Sequence, residues 1–195
     1  MSLSSLGTIG GPLIATALLT PAATSNWTAI LNAMGSFLVT NTLVIPGLMV
    51  AAGAAVTGLG LFQVVGSASA LGASLASAAG SPFSDAEAIT LWTAIAGALI
   101  KDMTMNAKAN PVSFVAVPTG GPVTGTGLIE FPTPYLGAAI IQAINCTDAA
   151  GIAAWTTVGG IIETEIAALG TVLATPIGMA SPTGGGPVTG SGTIV

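Results

Sequence analysis

The chain has 195 residues, of which 52% are hydrophobic and only 5% are charged, whereas about 25% is usual for soluble proteins. Nucleic-acid binding is excluded, because Lys101 and Lys108 are its only bases, its net charge is −5, and phosphate neutralisation needs clustered Lys and Arg. The chain has neither His nor Arg, which removes the commonest general base, metal ligand and oxyanion clamp, so we expect no enzymatic activity, no cofactor and no metal.

The first predicted element is a short helix within "LGTIGGPLIATALL". Gly10, Gly11 and Pro12 interrupt it, so we expect a kink or two short pieces. The preceding "MSLSSLGTIGG" lacks the basic residues that begin a secretory signal, and we therefore expect no cleaved targeting segment.

A longer helix follows, with Thr20 as its predicted N-cap and Pro21 in its first turn, where a missing N–H costs nothing. Its apolar residues recur at helical spacing and predict one buried face. These residues are Trp27, Ile30, Leu31, Met34 and Leu38.

Residues 43–65, "LVIPGLMVAAGAAVTGLGLFQVV", are long and apolar enough for a membrane-spanning helix. The competing interpretation is a β-hairpin, because the segment occupies the place of the Gly- and Pro-rich "VSFVAVPTGGPVTGTGLIE" found later in the chain. No Lys or Arg flanks it to give the positive-inside signal. We therefore predict the hairpin and keep the spanning helix as an alternative.

The same order of elements returns after residue 65. "SALGASLASAAG" predicts a short helix, and Asp85, or Ser84 with Glu87 as a capping box, begins a second one. "PVSFVAV" and "GPVTGTGLI", separated by the turn sequence "PTGG", predict a hairpin. The buried stripe of the second helix is Trp92, Ile95, Ala96, Leu99 and Met103.

A third series completes the chain. "TPYLGAAIIQAIN" predicts a short helix capped by Thr133, with Pro134 in its first turn, and Asp148 caps the helix after it. "TPIGMAS" and "GPVTGSGTIV" predict the last hairpin. The third stripe is Trp155, Val158, Gly159, Ile162 and Ile166.

These recurrences identify a tandem triplication with a period of 65 residues. Leu-Gly begins at Leu6, Leu71 and Leu136, 65 residues apart each time, and Val-Thr-Gly begins at Val56, Val123 and Val188, 67 and 65 residues apart. We divide the chain into unit 1 (residues 1–65), unit 2 (66–130) and unit 3 (131–195), which share one domain. The predicted fold is α+β, with three helix–helix–hairpin repeats in a pseudo-threefold body. Its core markers are Trp27, Trp92 and Trp155, with Pro46, Pro111 and Pro176 at the strand starts.

Other candidate chemistry is weaker. Asp85 and Glu87 stand two apart at a helix start, where acids suit the helix dipole. Glu163 and Glu165 are two apart within a helix and so point to different faces, and we read these scattered acids as solvated surface. "PTGGPVTGTG" lacks the Gly-Lys-Ser/Thr of a phosphate-binding loop. Cys146 has no His partner and is read as an inert thiol. The tryptophans could stack a sugar, but each begins a core-facing stripe, which favours packing.

Residues 85–129, with "LWTAIAGALI", "NA" and "PVTGTG", resemble small virion proteins of tailed bacteriophages. Unit 3 matches this pattern less well, and unit 1 least. The resemblance implies a structural role in a particle and transfers no catalytic residues.

We therefore expect a non-enzymatic structural protein of a phage-like particle, a capsid cement or decoration protein that bridges capsomers as a single-chain pseudo-trimer. Few charges and many small residues suit permanent packing against other virion proteins, and three units suit a site of threefold symmetry. The expected location is the virion, assembled in the host cytoplasm. The alternatives are a collar, tail or baseplate component, a small integral membrane or holin-like protein, and a hydrolase with scattered carboxylates.

Overall fold

The computed structural model describes residues 2–80, 85–174 and 178–195, and it combines helices with strands, so the α+β class is correct. The helices are α1 (Leu6–Ala17), α2 (Thr24–Asn41), α3 (Ala68–Ala79), α4 (Ala86–Met105), α5 (Leu136–Ala143) and α6 (Ala149–Leu169), with 3₁₀ turns at Leu3–Ser5 and Pro21–Ala23. The strands are β1 (Thr42–Ile45), β2 (Val50–Ala52), β3 (Ala55–Thr57), β4 (Gly60–Val64), β5 (Lys108–Asn110), β6 (Gly121–Pro122), β7 (Thr126–Glu130), β8 (Thr171–Leu173), β9 (Ala180–Ser181), β10 (Gly186–Pro187) and β11 (Gly192–Ile194).

The six helices contact one another in a closed cycle, in which each packs on the next in the chain and α6 packs on α1. Their predicted stripes supply much of the core. Trp27 and Trp155 are half-buried, and every other residue of the three stripes is buried. Packing of these faces is what stabilises the helices, since short helices are marginal on propensity alone.

Six strands form a closed antiparallel barrel in the order β1-β11-β8-β7-β5-β4. Buried and more exposed residues alternate along its strands, as the two faces of a barrel strand require. Phe62 of β4 is paired with Val44 of β1, and the small Ala109 of β5 is paired with Gly60. The buried apolar side chains of the barrel are those of Val44, Phe62, Ala109, Ile129, Val172 and Ile194.

The predicted hairpins are correct in outline and wrong in their first strands. Within unit 2 the strand that pairs with β7 is β5, which ends at Asn110. "PVSFVAV" after it forms no strand: Val112 and Ser113 lie in a turn, and Val115 makes isolated bridges to Thr124 and Ala55. Pro46 and Pro111 therefore follow strands β1 and β5 instead of starting strands. Proline has no N–H to donate, so the ladder ends where it stands. Pro176 lies outside the described residues. Residues 43–65 form β1 to β4 and no helix.

Two of the predicted helix caps are confirmed. Asp85 accepts a hydrogen bond from the N–H of Ala88 at 2.8 Å, and Asp148 accepts one from Gly151 at 2.6 Å. The prediction for Thr20 is wrong, because the Pro21–Ala23 turn moves the start of α2 to Thr24. The Ser84 alternative lies outside the described residues.

The interruption predicted in α1 is also wrong. The helix runs unbroken through Pro12. A Cβ on Gly11 would lie 2.8 Å from the Thr28 Cα, so the missing side chain lets α1 approach α2 closely. This packing compensates for the poor helix propensity of the segment.

In each copy of Val-Thr-Gly the valine is buried, and the glycine occupies a position that no other residue fits. Gly58, Gly125 and Gly190 have φ values of +86°, +110° and +87°. A Cβ on any of them would collide with a backbone carbonyl oxygen, that of Leu48, Ser113 or Gly178 respectively. The motif recurs because each unit makes the same close backbone approach.

We expect Gly125→Ala to lower the free energy of unfolding by about 3 kcal/mol, because a left-handed conformation costs an L-residue about 1–2 kcal/mol and the carbonyl clash adds to it. The matched control is Gly53→Ala. Gly53 also has a positive φ, +63°, but a Cβ there meets nothing within 4 Å, so about 1 kcal/mol is expected. Urea unfolding of the two variants measures the difference, and equal losses would contradict the close-approach explanation.

Candidate functional site

Trp27, Trp92 and Trp155, one from each unit, line a common pocket of about 340 Å³. Ile30 and Ile95 contribute further apolar surface to it. Among its described lining residues the polar side chains are Thr20 and Asn26, both exposed. This lining favours packing between units over sugar stacking, because a sugar needs several hydrogen-bonding partners besides an aromatic face. Pro46 and Pro111 are buried elsewhere and do not line this pocket.

The structure brings together two buried acids, one of which, Glu163, was wrongly predicted from the sequence to lie on the solvated surface. Asp102 of α4 and Glu163 of α6 are both buried, with 0% and 4% of their surface exposed, and they lie close enough for Glu163 to act on the titration of Asp102. Asp102 Oδ1 accepts a hydrogen bond from Asn106 Nδ2 at 3.0 Å. Asp102 Oδ2 is buried and has no hydrogen-bond partner in the described part of the chain.

Glu163 serves as the cap of a neighbouring helix. Its Oε1 accepts hydrogen bonds from the backbone N–H groups of Tyr135 (2.7 Å) and Leu136 (2.9 Å) at the start of α5. The predicted cap, Thr133, instead donates to Asn106 Oδ1 at 3.2 Å. The cap prediction failed because the acceptor comes from another helix, where local sequence patterns cannot find it.

Burial raises the pKa of Asp102 from 3.8 to about 7. The hydrogen bond from Asn106 opposes this rise, while the neighbouring Glu163 carboxylate adds to it. The sequence did hold a signal for this pair. Asp102 stands three residues after Leu99 and Glu163 one after Ile162, so both acids fall on or beside the buried stripes.

The buried position of the pair limits its chemistry. Perturbed carboxyl pairs are typical of acid–base catalysis, but Asp102 has no exposed surface through which a substrate could reach it. Within the described residues no group of three His, Cys, Asp or Glu could hold a metal ion. The hydrogen bonds of Glu163 and of Asn106, which also binds Asp102, join α4 and α6 to the start of α5.

We expect Glu163→Ala to lower the free energy of unfolding by about 2–4 kcal/mol, because it leaves two N–H groups of α5 without an acceptor and empties a buried site. Glu163→Gln keeps a carbonyl oxygen for both N–H groups and should cost less than about 1 kcal/mol. Chemical denaturation measures both variants. Equal losses would show that the side chain does not act as a cap.

Cys146 is half-buried and lies beside Asp148, with Sγ 3.5 Å from Oδ2. Desolvation, and then the hydrogen bond and the charge of Asp148, raise the pKa of its thiol. Because the thiolate is the nucleophile, a raised pKa makes this cysteine less reactive at neutral pH.

One described helix, Ala149–Leu169, is long and apolar enough to cross a membrane by length and composition, and a third of its most apolar window is buried within the protein. The helix is α6, which carries the third stripe. Buried core helices of other proteins have the same length and composition, so this is weak evidence for a membrane location.

Comparisons of the chain with family models, curated proteins and solved structures found no match. Its function is therefore inferred from its own residues and contacts.

Proposed function

We propose that the three units form a pseudo-threefold body in which each unit contributes one helix pair and two neighbouring barrel strands. One support is the helix crossing within each pair. A Cβ on Gly72 of α3 would lie 2.6 Å from the Thr93 Cα of α4, and one on Gly137 of α5 would lie 2.8 Å from the Thr156 Cα of α6. A Cβ on Gly7 of α1 would likewise collide with Thr28 of α2. Each glycine follows the repeated leucine, and each threonine follows the repeated tryptophan.

A second support is the pairing between units in the barrel. The last barrel strand of each unit pairs with the first of the next: β4 with β5, β7 with β8, and β11 with β1. The second helix of each unit contacts the last barrel strand of the preceding unit in the same cyclic order.

A third support lies in the short strands beyond the barrel. Ala55 of unit 1 pairs with Val115 of unit 2, and Gly121 of unit 2 pairs with Ser181 of unit 3. Gly186 of unit 3 pairs with Ala51 of unit 1, which closes the cycle. The pairing thus runs from unit to unit in one rotational sense, as in a closed trimer.

For this body we propose a non-enzymatic structural role in a phage-like particle, as a cement or decoration protein at threefold or quasi-threefold positions of a capsid. The observation that carries the proposal is the closed cyclic strand pairing of three units in one chain, of whose residues only 5% are charged. A single-chain pseudo-trimer matches a threefold site that three separate copies would otherwise fill. The resemblance of residues 85–129 to small virion proteins supports the same role.

The contact surface we propose is the apolar exterior of the barrel and hairpins in units 1 and 2. Its members are exposed although they are large and apolar, and their burial against capsomers would contribute about 25 cal/mol per Å². They are Leu48, Leu61, Val112, Val115 and Leu128. The partners would be the major capsid protein or, in a collar, tail or baseplate, other virion proteins of threefold or sixfold arrangement.

Sedimentation of the native source lysate, with and without detergent, tests the proposal when the chain is followed by mass spectrometry. Co-sedimentation with particles, unchanged by detergent, is the expected result. Migration with lipid and release only by detergent would instead support the membrane or holin-like alternative, for which α6 is the candidate span.

A matched pair of variants tests the proposed surface. Val112→Asp places a charge on a residue that is 65% exposed, so the fold should survive while binding to particles falls at least tenfold. Leu19→Asp changes a residue that is 87% exposed at the end of α1 and should leave binding unchanged. Equal binding of both variants would place the contact elsewhere.

A further inference from the structure

The buried carboxyl pair lies where three helices meet. Asp102 and Asn106 lie at the end of α4, and Glu163 lies in the middle of α6. The N–H groups that donate to Glu163 are at the start of α5. Asn106 Nδ2 donates both to Asp102 Oδ1 at 3.0 Å and to the carbonyl oxygen of Thr133 at 2.7 Å. The pair therefore connects unit 2 to unit 3 through side chains and not through strand pairing.

Each of the other titratable groups on the elements around the pair lies against another part of the protein. Lys101 lies 6.0 Å from the centre of the Tyr135 ring, with its side chain exposed. Lys108 donates to the Met105 carbonyl oxygen, and Glu130 accepts from Asn110. Glu165 faces Gly10 of α1. Within the described residues, no ion pair neutralises the charge of Asp102 and Glu163.

We propose that Asp102 and Glu163 hold one proton between them, and that its release to solvent loosens the junction of α4, α5 and α6. In the closed junction a protonated Asp102 donates through Oδ2 to Glu163, which supplies the partner that this buried oxygen otherwise lacks. Oε1 of Glu163 already accepts from the N–H groups of Tyr135 and Leu136, so in the proposal the proton stands on Asp102.

When the proton leaves, two carboxylates in contact repel each other in a poorly solvated site. Separation of α4 from α6 relieves the repulsion and weakens the bonds from Glu163 to Tyr135 and Leu136. This proton-dependent loosening of the junction depends only on these contacts, and it is expected whether or not the protein assembles into a particle.

The direction of the pH effect follows from the pKa of Asp102, which is about 7 in the folded protein and 3.8 without its environment. Between these values the closed junction binds more protons than the open one, so opening becomes easier as pH rises from about 4 to 7 and changes little above 7. The stabilisation by this group is complete below about pH 4 and has been lost by about pH 7.

Amide hydrogen exchange, corrected for the intrinsic effect of pH, tests the device on the whole chain. Protection of the Tyr135 and Leu136 amides should fall at least tenfold between pH 5 and pH 7. The Gly151 amide is the internal control. Its acceptor Asp148 has a pKa lowered by that hydrogen bond, so it stays ionised throughout and protection should not fall.

Asp102→Asn keeps the shape of the side chain and removes the titration, so protection at Tyr135 and Leu136 should become equal at the two pH values. A fall in this variant as large as in the wild type, or no fall in the wild type, would overturn the proposal. Infrared difference spectra of the wild type between pH 6 and pH 8 require no variant. They should show one protonated carboxylic acid being lost, and absence of that signal would also overturn it.

Discussion

Gly72→Ala is expected to lower the free energy of unfolding by about 2 kcal/mol. Gly72 stands where α3 crosses α4, and a Cβ there would lie 2.5 Å from the Oγ1, 2.6 Å from the Cα and 2.7 Å from the backbone nitrogen of Thr93. Backbone atoms cannot turn aside as a flexible side chain can, so the two helices must separate. Overpacking of this kind costs about 1–3 kcal/mol and exceeds the gain in helix propensity.

The control for this prediction is the same substitution one helix away. Gly97 lies within α4, and a Cβ there would meet only the Ala68 Cβ, at an ordinary 3.8 Å. Gly97→Ala should therefore raise the free energy of unfolding by about 0.5–1 kcal/mol through helix propensity. Thermal or urea unfolding measures both variants. Changes of the same sign would refute the assignment of Gly72 to a helix contact.

Trp92→Ala is expected to be the most damaging of the single changes considered, with a loss of about 3–5 kcal/mol. Trp92 is 7% exposed and packs among the residues of all three units that line the tryptophan pocket. Trp27 and Trp155 are only half-buried, so alanine at either position should cost about half as much.

Trp92→Phe separates two contributions of this side chain. Its buried Nε1 has no hydrogen-bond partner in the described residues, so phenylalanine removes a poorly satisfied donor while keeping most of the apolar surface. We expect a loss of about 1–2 kcal/mol, measured by urea unfolding followed by circular dichroism. A loss as large as that of Trp92→Ala would show that the indole N–H makes a stabilising contact.

Elements with strong periodicity were predictable from the sequence. The stripes that begin at Trp27, Trp92 and Trp155 fixed the three long helices, because a buried helical face must recur about every 3.6 residues. Asp85 and Asp148 were identifiable as caps because the N–H groups that donate to them lie in the first turn of the same helix. The 65-residue period also placed residues 43–65 among strands despite their apolar length.

Features that depend on a distant partner were mispredicted. "PVSFVAV" has strand-forming residues but contributes only isolated bridges at Val115, since the barrel pairs Lys108–Asn110 with β7 and ends the ladder at Pro111. Thr133 was expected to cap α5, but Glu163 reaches that helix start from α6. Local propensity cannot rank such partners, because burial and hydrogen bonding decide between them.

The sequence by itself determined the α+β class, the long helices and the recurrence of Val-Thr-Gly, since each depends on spacing or backbone conformation within a few residues. Only the tertiary structure decided that six strands close into a barrel and that Asp102 meets Glu163 across 61 positions of sequence. Such contacts arise from packing between elements. They leave no periodic signal in the chain, because the interaction energy depends on both residues together and cannot be assigned to either segment alone.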